Sequence, residues 1–144
     1  MLVLAQTTTP THIPQAELNG EQVLYIPPNE RTWLIADLAG TTKDTIVFCH
    51  FRLDTDNASY LVTNVGVIRD ILEDSGKVRH VFTGHRHLNS NLQSSTTGYH
   101  VMEAMTENAH PENAFSIVKI FDNGWVTVTG TDRQESYSFG VPVC

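Results

Sequence analysis

Two short apolar runs, "TIVFC" at Thr45–Cys49 and "VRHVFTG" at Val78–Gly84, flank a segment whose apolar residues recur at helical spacing. Val65, Ile68, Ile71 and Leu72 define that helix within 59–76, and Gly76 is its stop. A strand, a crossover helix and a strand of this length predict neighbouring parallel strands in an α/β sheet. The preceding segment repeats the pattern. "MLVLA" reads as a buried strand, residues 6–28 as a long polar loop broken by Pro10, Pro14, Gly20, Pro27 and Pro28, and "NERTWLIADL" as a helix over Asn29–Leu38. That helix starts at Pro28 or Asn29, stops at Gly40, and carries Trp33, Leu34 and Leu38 on one packed face. After Gly84 the character changes, with strand composition in "GYHVMEAM" (98–105) and "AFSIVKIFDNGWVTVTGT" (114–131). Asn123-Gly124 between alternating apolar runs predicts a hairpin. The predicted fold class is therefore α/β, a mixed β-sheet with flanking helices and a C-terminal antiparallel hairpin.

A chain of 144 residues suits one domain spanning 1–144. Its net charge of −7 and nine scattered Lys and Arg disfavour a nucleic-acid backbone or an anionic membrane surface. No run approaches the roughly 20 apolar residues of a membrane span. Small molecules or protein partners remain. Cys49 sits inside an apolar run and Cys144 is the last residue, so no disulfide framework is expected and a reducing, cytoplasmic setting fits.

In an open α/β sheet, ligand-handling groups collect beyond the carboxyl ends of the parallel strands. "TIVFC" runs into His50, and "VRHVFT" runs into Gly84, His85, Arg86 and His87. Neighbouring strands ending this way would bring three imidazoles toward one crevice, with Gly84 allowing the turn. They would either hold a metal or stand as polar residues at strand ends. Cys49 and His50 face opposite sides of a strand, so a thiol–imidazole pair is not expected and Cys49 is assigned to the core. His12, His80 and His100 have no partner at useful spacing and receive no role.

"TIVFCH" followed by "VFTGHRH" resembles the last two metal-binding motifs of the calcineurin-like metallophosphoesterases. The resemblance covers most of the chain. "MLVLA", "RTWLIADLAGTTKDTIVFCH" and "FSIVKIFDNGWVTVTG" are similar to that family's strand, helix-and-strand and closing hairpin. It implies half of a four-layer αββα sandwich, and a site in which two metals about 3.5–4 Å apart clamp a phosphate ester. The resemblance assigns His50 and His85 to one metal and His87 to the other, and neutral imidazole suits divalent Mn, Fe or Zn. The family's Asp-x-His, Gly-Asp-x-x-Asp and Gly-Asn-His-Glu/Asp motifs do not occur here, and Phe51 and Arg52 stand where it usually has His and Pro.

The chain is thus expected to be the C-terminal half of such a domain, a truncated or split form, with a partial site and weak or no activity alone. The alternative is a non-catalytic binding or assembly domain that keeps the half-fold. Asp54, Asp56 and Asn57 after His50, and Glu103, Glu107 and His110 after "GYHVMEAM", are candidates for missing ligands without motif spacing. Loop acids are expected to be solvated, and "HPEN" (110–113) to form a turn. With only one sheet's worth of strands, an apolar face would be left bare, and a two-fold homodimer would cover it. A phosphate-ester small molecule is the expected ligand class.

Overall fold

The computed structural model describes residues 2–5, 15–18, 21–55, 62–94, 96–106 and 113–140. Its centre is a five-stranded sheet in the order β1 (Leu2–Ala5), β4 (Thr45–Phe48), β5 (Val78–Thr83), β7 (Gly98–Val101) and β6 (Ser90–Gln93). The first four run parallel, and β6 closes the edge antiparallel to β7. The helices α1 (Pro28–Gly40) and α2 (Val65–Asp74) cover one face. Pro28 fits the first helical turn because its φ is already near the helical value and no N–H is needed there. At the far end of α2, Gly76 (φ +61°) donates its N–H to the Glu73 carbonyl and closes the helix in the left-handed conformation that glycine adopts freely.

Leu38 of α1 and Val65, Ile68 and Leu72 of α2 pack on Val47, Val78, Val81 and Tyr99 of the sheet. Strand alternation alone would not put Val78 and Val81 on the same face. The register jumps from Thr45↔Val78 to Ile46↔His80, so Arg79 is an extra residue in β5. This bulge turns Val78 and Val81 to the helices and leaves His80 and Phe82 on the opposite face.

That opposite face carries a second sheet. β8 (Phe115–Ile120), β9 (Trp125–Thr131) and β10 (Tyr137–Gly140) form an antiparallel sheet in the order β10-β9-β8. Its Val118, Val128 and Tyr137 pack on Ile46 and Phe82. The predicted β8–β9 hairpin is present. Gly124 N–H donates to the Phe121 carbonyl, and Gly124 has φ +79°. The expectation of a single sheet is therefore corrected: the hairpin pairs with β10 rather than joining the central sheet.

Other corrections are local. Part of the predicted loop 6–28 is a hairpin of β2 (Gln15–Leu18) and β3 (Glu21–Leu24). Trp33 does not pack: it is 52 % exposed, while Leu38 and the partly buried Leu34 turn inward. Among the described residues, no helix is long and apolar enough to cross a membrane.

Candidate metal centre

The pairing of β4 and β5 continues past the ladder. Cys49 N–H donates to the Phe82 carbonyl and Gly84 N–H to the His50 carbonyl, each at 3.0 Å. These bonds hold the two strand ends side by side, and the imidazoles meet with His50 Nε2 3.0 Å from His85 Nδ1. The His85 ring lies on Phe51, centroids 4.3 Å apart, and Phe51 meets His50 edge-on at 5.4 Å. Phe51 is thus a wall of the site.

Gly84 was expected to provide the turn, but the left-handed positions are His85 (φ 68°) and His87 (φ 50°). Non-glycine residues occupy that region at a cost, and such strain concentrates at functional sites. Burial lowers the His85 pKa, and the charges of His50, His87 and Arg86 lower it further. His87 stands at the exposed rim, near enough to act on His85 electrostatically. The structure therefore joins His50 to His85 directly. Among the described residues, however, no three His, Cys, Asp or Glu side chains converge in metal-holding geometry.

Of the loop acids, Asp54 is buried rather than solvated. Arg52 grips it with two hydrogen bonds, Nε to Oδ1 and Nη2 to Oδ2, both 2.7 Å, and Ser90 Oγ donates to Oδ2 at 2.9 Å. Burial pushes the carboxyl up, but the Arg52 and Ser90 hydrogen bonds and the Arg52 charge outweigh it and hold the pKa below the usual range. Asp54 is committed to structure. Asp56, Asn57, Glu107 and His110, like His12 and Cys144, lie outside the described residues.

Glu103 is placed differently. Its Oε2 accepts a 3.2 Å hydrogen bond from Asn89, while Oε1 is buried without a hydrogen-bond partner among the described residues. Asn89 and Gln134 hold it in place: Gln134 accepts from Glu103 N–H and donates to Asn89 Oδ1. Nothing in the sequence marked Gln134, which lies 45 residues from Asn89. An open groove of about 600 Å³ runs between the ends of the sheets, lined by Phe48, His50, Met102, Glu103, Phe115 and Val118 among others. Cys49 packs against the helix-side core, and burial pushes its thiol up to about 11. It is not a nucleophile at neutral pH.

The His50–His85 pair offers two of the nitrogens that a borderline divalent ion would need. Two nitrogens on one tetrahedral zinc, each at about 2.0–2.1 Å, lie roughly 3.3–3.4 Å apart, so the pair, at 3.0 Å, would open slightly around a shared ion. In the contact as it stands, one ring donates its N–H to the other. A shared ion would replace that proton, and the lowered His85 pKa favours the neutral ligand form.

Parallel strands ending in histidine, with helices on one face and an antiparallel sheet on the other, make a layered α/β fold. Among solved structures, the chain is similar to a dimetal phosphatase from Danio rerio, with a TM-score of 0.69 and 18 % identity over 78 % of this chain. The match covers 38 % of that phosphatase, so the chain spans well under half its length. The sequence matches no protein-family model and no curated protein.

Proposed function

We propose that the chain is a metallophosphoesterase-like protein of the phosphoric ester hydrolase type. In this proposal His50 and His85 hold one divalent Mn, Fe or Zn ion, and His87 reaches toward a second. The observation that carries it is the 3.0 Å approach of His50 Nε2 to His85 Nδ1 at the carboxyl ends of adjacent parallel strands. The bound ion would polarise a phosphoryl oxygen and supply a hydroxide nucleophile. The chain's own residues orient the ligands: Phe51 backs His85, and the β4–β5 backbone bonds fix the spacing of the two histidines. The adjoining groove would receive the organic part of a small phosphate ester.

The chain carries a partial site, without the Asp-x-His, Gly-Asp-x-x-Asp and Gly-Asn-His-Glu/Asp motifs. Its activity alone is weak or absent, because bridging carboxylates normally neutralise the paired ions and stabilise the charge that develops on the phosphoryl group. Hydrolysis of bis-p-nitrophenyl phosphate with added Mn, Fe or Zn tests this. Little or no turnover is expected; metal-dependent turnover of order 1–10³ per second would contradict a partial site.

We also propose a two-fold homodimer, on a different surface from the one expected, because β8–β10 already cover the sheet face that was expected to be bare. The outer face of the three-stranded sheet leaves Phe115, Ile117 and Trp125 about half exposed. Lys119 is the single ionisable residue in β8 and β9, so two copies can meet there with little charge to desolvate despite the net −7. A non-catalytic assembly role is the second reading, favoured by this same surface.

A further inference from the structure

His80 and His100 are 1 % and 0 % exposed, and their rings form a chain that crosses the layer between the sheets. His80 Nε2 is 3.0 Å from the carbonyl oxygen of Gly124 in the β8–β9 turn, His80 Nδ1 is 3.1 Å from His100 Nε2, and His100 Nδ1 is 2.9 Å from Asn91 Oδ1. His100 lies between Phe82 and Tyr137, both stacked on it, with Phe139 edge-on. Gly98 leaves the room this requires, since a Cβ there would lie 2.6 Å from Phe139 and 3.0 Å from His80 Nδ1.

A proton count constrains this chain. Both ends, as placed, are oxygen acceptors that cannot donate. Satisfying three hydrogen bonds between two acceptor ends takes three protons on the four ring nitrogens, so the pair would carry one positive charge. A neutral pair has only two protons. It can satisfy all three bonds only if the Asn91 amide makes a half-turn and presents its NH2 to His100 Nδ1. Asn91 lies exposed on the edge strand β6, where its amide has room to turn.

We propose that Asn91, His100 and His80 form a one-proton switch, in which the pair takes up a single proton on acidification and the Asn91 amide turns over to accept it. The third proton lands on His100 Nδ1 and bonds to Asn91 Oδ1. The bond from His80 Nε2 to Gly124, which ties the sheets together, survives in both states. A second added proton has no place, because it would set N–H against N–H between the rings. The groups facing the pair are Arg79 from its own strand, Phe82 from β5, Asn91 from β6, Tyr137 and Phe139 from β10, and the Gly124 carbonyl from the hairpin turn. Arg79, ion-paired to Asp44, is the charged one. Burial therefore keeps the pair neutral at pH 7, and lowers the pKa of each ring.

The test is long-range 1H–15N correlation of the histidine rings in the 15N-labelled full chain, from pH 8 down through the value of about 3 to which burial lowers His100. At pH 8 both buried rings should show the Nε2–H tautomer. On acidification, one proton should enter the pair, at His100 Nδ1, with a midpoint below that of free histidine. Asn91→Asp places a permanent acceptor at His100 Nδ1 and should raise the midpoint by about one unit or more. Asn91→Leu removes the acceptor and should lower it. Independent titration of both rings at the ordinary histidine value, an Nδ1–H tautomer of His100 at pH 8, or a midpoint unmoved by both substitutions would overturn the switch.

Discussion

His50 Nε2 lies 3.0 Å from His85 Nδ1, although 35 residues separate them in sequence. Imidazoles at that distance share one proton between two ring nitrogens, and to hold an ion instead both rings would turn their lone pairs to a common point off the line between them. The contact depends on the Gly84-to-His50 backbone bond and on Phe51, which backs the His85 ring.

Acid should weaken the fold through His80 and His100. Their pKa values are lowered in the folded chain, that of His100 to about 3. Below about pH 6.5 the unfolded chain binds protons that the folded chain refuses. Stability is therefore full above that pH and falls as pH drops toward the native values, by about 1.4 kcal/mol per pH unit per histidine at most. Urea denaturation at pH 7 and pH 4.5 checks this, and a His100→Phe variant should show a shallower pH dependence.

Arg52→Ala should destabilise the chain by about 2–4 kcal/mol, since it leaves Asp54 buried without its cation. The Asp54 side chain is 3 % exposed. Arg52→Ala combined with Asp54→Asn should recover part of the loss, because a neutral amide costs less to bury. Denaturation midpoints of the two variants measure the difference.

A Cβ at Gly130 would lie 2.0 Å from the backbone oxygen of Gln134. Backbone cannot move aside as a flexible side chain can, so Gly130→Ala should cost about 1–3 kcal/mol. It should also disturb Gln134 and, through it, Glu103. Thermal unfolding reads the first effect, and amide shifts at Glu103 read the second.

Light scattering after size exclusion should give twice the 16.0 kDa chain mass at micromolar concentration. Ile117→Lys would bring a second charge to β8 and should shift the population toward monomer. A monomeric parent chain would contradict the dimer.

The strand–helix–strand frame was legible in the sequence because its elements bury one face or both, and burial writes periodicity into the residues. β6 was not, because Ser90–Gln93 is a largely exposed polar edge whose order comes from pairing with β7. The β2–β3 hairpin was hidden among prolines. Trp33 was misplaced because it neighbours Leu34 and Leu38 in sequence, and only tertiary packing decides which side of α1 is covered. His50 and His85 could be brought together from the strand-end rule. His80 and His100 could not, since the bulge at Arg79 sets which face His80 takes. The left-handed backbone of His85 and His87 left no mark at all, because the sequence offered Gly84 as the natural turn.

Metal titration of the purified full chain, followed by elemental analysis after desalting, tests the central claim most directly. The chain should retain about one Mn, Fe or Zn ion, bound more tightly above about pH 6.5 as the imidazoles lose their protons. His85→Ala with His87→Ala, and separately His50→Ala, should lose it while keeping the parent fold by circular dichroism. Metal content unchanged in these variants, or no ion bound by the parent chain at saturating metal, would contradict a metal centre at His50, His85 and His87.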